Sequence, residues 1–477
     1  MRFSRAFGLT KTQAELDFVD IDLAGDAPLY VDPFALSIRK DEWSECCTQH
    51  IMSFFQNAID AIHAGDHDRA KTVLTNLSEP NETHLGKSKG EPRGRGVSGK
   101  QEFDLYEALL DSEAAKTGVL SEIAECDLFI PGIGPDKISD ITTNVIRGPL
   151  VEYTQSQCDL HGIALTSNVP AGKFWDMDEN EWTAQYAPLP VWKGQKIILV
   201  PKASVRFRMS LDSQEYYNHF VLNFLQAEHL RAGSALVKTF KRSGRQYVTK
   251  KSLKKLHPLT KIELYRFTKA HPEVLELYKK AERRERTASD DMLDGEVDVA
   301  ALCDALASAL RSIPTGTSAA SDFHNLMIGA IEFVFFPNLI YPKKEMPIND
   351  GRKRIDITYT NAARDGFFYR LHTARQVAST VVMVECKNYS SDVANPELDQ
   401  LVGRFSVNRG RLGILIARTC ADPALFQARC RDVTQAGNGI VIPLFDTDIY
   451  TMLEDVKQRR REAIDARLDK IFNRLVS

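Results

Sequence analysis

Three short, almost continuously apolar runs in the last third of the chain, VVMVECKN (381–388), LGILIAR (412–418) and GIVIPLF (439–445), are separated by the helix-patterned stretches ELDQLVGRFSV and DPALFQARCRDVTQA. Runs of that length with little polar alternation read as strands buried on both faces. With the strand-like RIDITYT (354–360) upstream, the order of elements predicts a mixed α/β fold, a small mixed sheet flanked by helices. Ahead of the strands, an apolar-rich helix is expected over 297–313, closed by Pro314 and Gly316. A second is expected over 323–335, capped by Ser321 and Asp322 and ended by Pro337, which cannot continue the backbone ladder. A long charged helix closes the chain.

At 477 residues the chain exceeds the roughly 250–300 that one hydrophobic core supports, so two or three domains are expected. The expected division is a larger α+β domain over 1–235 for sensing or specificity, a basic and mainly helical connector over 236–315, and the α/β domain over 316–477. In the first part, Cys47, Ile51, Phe54, Phe55, Ile59 and Ile62 recur at helical spacing and predict an amphipathic helix over 43–64. Residues 18–23 and 197–200 read as strand pieces. A composition of 43% hydrophobic and 26% charged residues is ordinary globular usage and excludes disorder of the whole chain. No run of about 18 uncharged apolar residues occurs, so no membrane partner is expected. The eight cysteines include no pair with a two-residue gap, which fits a reducing, cytoplasmic setting.

Charge is unevenly spread. Between Arg231 and Arg286 there are 17 Lys and Arg against 5 Asp and Glu, an excess of 12 in a chain of net charge −3, which leaves −15 for the rest. Lys241, Arg242, Arg245, Lys250, Lys251, Lys254 and Lys255, with Phe240 and Tyr247 among them, suit phosphate contacts with occasional base stacking; Arg404 is a further candidate. The bland alternative is a solvated helical connector. The stretch LGKSKGEPRGRGVSGKQ (85–101) contains Gly86-Lys87-Ser88, but Asn81 stands where a phosphate-binding loop needs its first glycine. Asp136 and Asp140, with Glu152 and His161 downstream, read more readily as helix-start acids than as a metal group.

The chemistry concentrates in Asp356, at the start of one strand, and Glu385-Cys386-Lys387, at the end of another. Strand side chains alternate, so Glu385 and Lys387 share a face and Cys386 takes the other. A Glu and a Lys that end a buried run carry a desolvation cost unless something polar or metallic meets them. Carboxylates of Asp356 and Glu385 and the Cys386 carbonyl could give three oxygen ligands to a hard cation, Mg²⁺ or in its place Mn²⁺. Lys387 would orient the attacking water and offset charge on the phosphoryl group.

These residues resemble the PD-(D/E)XK nuclease superfamily, with its restriction-endonuclease-like fold and an Mrr-like flavour. Asp356 supplies the motif aspartate, and Glu385 and Lys387 its E-x-K. The resemblance covers about residues 316–450 and implies a tentative metal role for Glu332 on the preceding helix and a positioning role for Gln400 on the following one. Ile355 stands where the motif has proline, and no tyrosine follows Gln400, which argues against a processive exonuclease. The implied activity is Mg²⁺-dependent hydrolysis of DNA, duplex above all, by an endonuclease of the restriction or anti-phage defence type. It would act as a homodimer or with a partner subunit. The alternatives are a repair or resolvase-type nuclease and a catalytically inactive nucleic-acid-binding sensor.

Overall fold

The structure is a computed structural model that describes residues 1–74, 77–86, 105–116, 120–241, 243–283, 297–344, 357–406 and 410–477. Asp356 and Arg242 lie outside the described residues, as does the basic glycine-rich stretch from residue 87 onward. No helix among the described residues is long and apolar enough to cross a membrane.

The first half is built around helix α1 (Glu42–Ala64), whose N-terminus is capped by Asp41 accepting from the Ser44 amide and which buries Cys47, Ile51, Phe54, Phe55, Ile59 and Ile62 as the spacing predicts. Helices α2 (Pro135–Val145) and α3 (Arg147–His161) pack nearby, followed by a long antiparallel hairpin, β1 (Thr166–Asp176) and β2 (Glu181–Leu189). Trp175 and Trp182 pair across that hairpin and meet Phe54 of α1 edge-on, at 5.4 and 5.8 Å between ring centroids. Residues 18–21 and 197–200 are buried, but the runs form no ladder strands. Their amides go elsewhere: Val19 N–H donates to Val200 O, Ile198 N–H to Glu82 O, and Leu199 N–H to Thr154 Oγ1.

The basic stretch is mainly helical, as expected, in α4 (Lys250–Leu256), α5 (Lys261–Ala270) and α6 (Pro272–Glu282), preceded by a two-residue ladder between Lys238–Thr239 and Gln246–Tyr247. Helix α7 (Val299–Ser312) is capped by Asp298. Helix α8 (Ala320–Phe335) starts earlier than its proposed caps. A single 3₁₀ turn at Thr317–Ala319 runs straight into it, so Ser321 and Asp322 sit inside its first turn.

The principal sheet has five strands: β3 (Leu339–Lys343), β4 (Ile357–Asn361), then after helix α9 (Gly366–Thr373) β5 (Val381–Lys387), after α10 (Asn395–Val402) β6 (Leu412–Ala417), and after α11 (Pro423–Gln435) β7 (Ile440–Phe445). Their spatial order is β7-β6-β5-β4-β3, with β3, β4 and β5 antiparallel and β5, β6 and β7 parallel. This is the mixed sheet the sequence predicts, with β3 as an unforeseen edge strand. Tyr359 Oη on β4 reaches Ile328 O of α8 at 3.4 Å, which sets α8 on one face. On the other face α10 lies so close that a Cβ on Gly413 of β6 would come within 2.8 Å of Leu401, a reason for glycine in mid-strand. The expected long terminal helix is two, α12 (Asp446–Lys457) and α13 (Arg461–Val476), divided where Arg459 adopts a left-handed φ of 57° and Arg460 turns back to pair with Asp455.

The two halves are sealed together. Lys11 Nζ donates to Asn325 O of α8, and Gly329 of α8 admits the approach of Lys11 and Glu15, because a Cβ there would lie 2.6 Å from the Lys11 amine. Tyr341 of β3 donates its amide to Asp17, Gln157 of α3 donates to Pro342 O, and the Tyr341 ring packs with those of Trp43 and Tyr153. Buried apolar side chains from Phe3 to Leu475 belong to one packed cluster.

Candidate functional site

Strand β5 alternates as expected. Register pairs Ile357 with Val384, so Val382, Val384 and Cys386 share the α8 face with Ile357 and Tyr359, while Met383, Glu385 and Lys387 face α10. On that second face Glu385 Oε1 lies 2.5 Å from Lys387 Nζ, and Glu385 Oε2 accepts from Arg404 Nη1 at 2.6 Å. The Glu385 and Arg404 side chains are each 1% exposed, whereas Lys387 keeps 14%. A carboxylate this deep needs cations, and among the described residues Lys387 and Arg404 supply them. Arg404 is delivered by the turn that ends α10 at Gly403, and its Nε and Nη2 have no hydrogen-bond partner among the described residues. Expected as a contact to nucleic acid, Arg404 is instead found buried against Glu385, whose carboxylate it pairs with. Gln400 sits half-buried in the last turn of the same helix.

Glu332 is not brought to this pair. It projects from α8, on the opposite face of the sheet, into a buried seam where its Oε1 lies 2.9 Å from Lys202 Nζ, with the two side chains 1% and 2% exposed. Burial pushes the Glu332 carboxyl up to about 7; Lys202 pulls it back and the nearby Asp17 adds to the rise. Asp17 is raised for the same reason, against the pull of Lys202 and hydrogen bonds from Tyr153 and the Tyr341 amide. Lys202 also lies 4.1 Å from the centroid of the Phe336 ring. Glu332, for which the resemblance implies a metal role, here makes an ion pair across the junction of the two halves.

The donor set for a hard cation is incomplete among the described residues. Glu385 offers one carboxylate, both of whose oxygens already meet cations, and no group of three His, Cys, Asp or Glu side chains that could hold a metal is found among the described residues. The second carboxylate of the sequence pattern, Asp356, lies outside them. The described residues alone do not supply the set of oxygen donors that Mg²⁺ or Mn²⁺ takes.

Of the basic residues, Lys241, Arg245, Lys251, Lys254 and Lys255 are exposed, while Lys250 is half-buried and donates to Asn218 O at 2.6 Å. Phe240 stacks on Tyr247 at 4.1 Å between centroids and 25° between planes, beside the Lys241–Arg245 turn. Asp136 and Asp140 do lie on one helix, α2. Burial, with Glu79, Asp136 and Asp26 adding, pushes Asp140 up to about 8, the behaviour of a crowded acid. His161 is held down to about 3 by burial and Lys11. Sequence reasoning missed Arg404 as the partner of Glu385; the signal was available in the need of a buried Glu for more positive charge than one partly exposed Lys supplies.

A family model described as a domain of unknown function (DUF8370) matches residues 8–212. The match ends well before the sheet that carries Glu385. No curated protein and no solved structure matches.

Proposed function

We propose that the chain is a Mg²⁺-dependent DNA endonuclease of the restriction-endonuclease-like kind, with the Glu385–Lys387 end of β5 as its cutting site. The observation that carries the reading is that pair itself: an acid and a base 2.5 Å apart on one face, at the end of the buried strand where the antiparallel and parallel halves of the sheet meet. The order of a helix, antiparallel strands, a helix and a parallel strand supports it, since it agrees with the resemblance drawn from the motif residues. In this reading Lys387, the more exposed member, contacts a phosphate oxygen and offsets charge that develops there. Arg404 is a positioning residue that fixes the Glu385 carboxylate. The exposed cations of 241–255, with the Phe240–Tyr247 stack, hold the nucleic-acid backbone, and the first half governs access.

A second reading, a nucleic-acid-binding protein without cleavage, is favoured by one observation: both Glu385 oxygens are occupied by Lys387 and Arg404. One experiment separates the two. The purified chain is incubated with plasmid, linear duplex, single-stranded DNA and tRNA in Mg²⁺, in Mn²⁺ and in EDTA. Cleavage in metal that EDTA and Lys387→Ala both abolish supports the nuclease; retention of DNA in a gel shift with no cleavage under any condition supports the binder.

A further inference from the structure

Within the first half, and apart from the Glu385 site, a cavity of about 470 Å³ opens between the turn at residues 81–84, strand β1 and the short ladder Val191–Trp192 with Gln195–Lys196. Its volume falls within the range of small-molecule sites, about 300–1,000 Å³. Val169, Pro170 and Val191 give it an apolar part, and Asn81, His84 and Gln195 also line it. Lys196 lines it and spends one hydrogen bond on Pro170 O, at 2.9 Å. Behind it stands Arg147, buried, in an ion pair with the lining residue Glu82 and bonded to Asn144 Oδ1 at 2.7 Å. A backbone glycine, Gly172, makes room for that guanidinium, since a Cβ there would meet Arg147 at 3.2 Å. Lys196 and Arg147 thus lie close enough to act on one another, with Glu82 paired to Arg147. Burial, with Arg147 adding, pushes the Lys196 ammonium down to about 8. Gly194, at φ +82 with open space where a Cβ would be, leaves the rim clear.

We propose that this cavity binds a nucleotide the size of a nucleoside monophosphate, with its phosphate on Lys196 and its base against the Val169, Pro170 and Val191 wall. The phosphate meets the Lys196 ammonium, whose one described hydrogen bond goes to Pro170 O, and the amides of Asn81 and Gln195 meet the edge of the base. The apolar wall distinguishes such a ligand from a bare inorganic anion.

Isothermal titration of the full chain with AMP, GMP, CMP, UMP, adenosine and inorganic phosphate tests this. At least one monophosphate is expected to bind, at least tenfold more tightly than either adenosine or inorganic phosphate. Lys196→Gln, which keeps a donor for Pro170 O, should weaken that binding at least tenfold, and Val191→Trp, which fills the cavity from its rim, should abolish it; circular dichroism confirms that both variants are folded. No binding by any monophosphate, equal binding of inorganic phosphate, or wild-type affinity in both variants would overturn the assignment. The readout is independent of cleavage, so the nuclease reading neither supports nor rescues it.

Discussion

Replacing Lys202 by Met keeps most of the buried aliphatic stem and removes the one cation found 2.9 Å from Glu332 and beside Asp17. Taking one partner from a buried ion pair costs about 3–5 kcal/mol, because the remaining charge is left without compensation. The loss should depend on pH in a direction set by Glu332. Its carboxyl is raised to about 7 in the folded chain against an ordinary 4.5, so the native state holds a proton that the unfolded state releases. For that group alone, wild-type stability therefore falls as pH rises from about 4.5 to about 7 and then levels. Above 7 wild-type Glu332 is ionised and Lys202 compensates it, whereas in the variant it must stay protonated, at up to about 1.4 kcal/mol for each further pH unit. Urea unfolding followed by circular dichroism should thus show a larger loss at pH 8 than at pH 6. The double variant Lys202→Met with Glu332→Gln should cost less than the sum of the two single changes at pH 8. Equal losses at both pH values together with additive single and double variants would refute an ionic seam.

Glu385→Gln and Lys387→Ala should each reduce plasmid cleavage by at least about a hundredfold, the scale of a lost catalytic charge, with unfolding curves that remain cooperative. Arg404→Ala takes from the buried Glu385 a cation that its Oε2 meets at 2.6 Å, so it should lower the melting temperature as well as cleavage, with a stability loss of about 3 kcal/mol in denaturant titration. Asp140 holds a proton to about pH 8 in the folded chain and to about 4 unfolded, so it lowers stability as pH rises through that window; Asp140→Asn should raise the melting temperature at pH 8 and leave it nearly unchanged at pH 4. Gly329→Leu would drive a side chain into Lys11 and Glu15, and a loss of about 1–3 kcal/mol is expected in urea unfolding.

The alternation in VVMVECK was enough to place Glu385 and Lys387 together, because a two-residue period is a local property of any strand. The runs at 412–417 and 440–445 were equally legible, since strands covered on both faces carry little but apolar side chains. Strand β3 was not, because Pro342 interrupts LIYPK and marks a strand that tolerates a missing donor only at a sheet edge, where it stands. The burial of Arg404 and the pairing of Glu332 with Lys202 depend on contacts between residues 19 and 130 positions apart; the need of Glu385 for a second cation was legible, but which residue meets it, and that Lys202 meets Glu332, was not. In the first half the apolar runs promised strands but bond to loops and side chains, while the hairpin β1–β2, interrupted by Pro170 and Gly172, shows no clean alternation in sequence.

The seam at Lys202 and Glu332 also constrains how such a chain changes over generations. A neutral residue at position 202 strands an acid at 332, and a neutral residue at 332 strands a cation at 202, so either first step is disfavoured until the second arrives. The half that carries residue 202 and the half that carries residue 332 are inherited as a matched set, and exchange of either with a distant cousin would have to bring both sides of the junction across together.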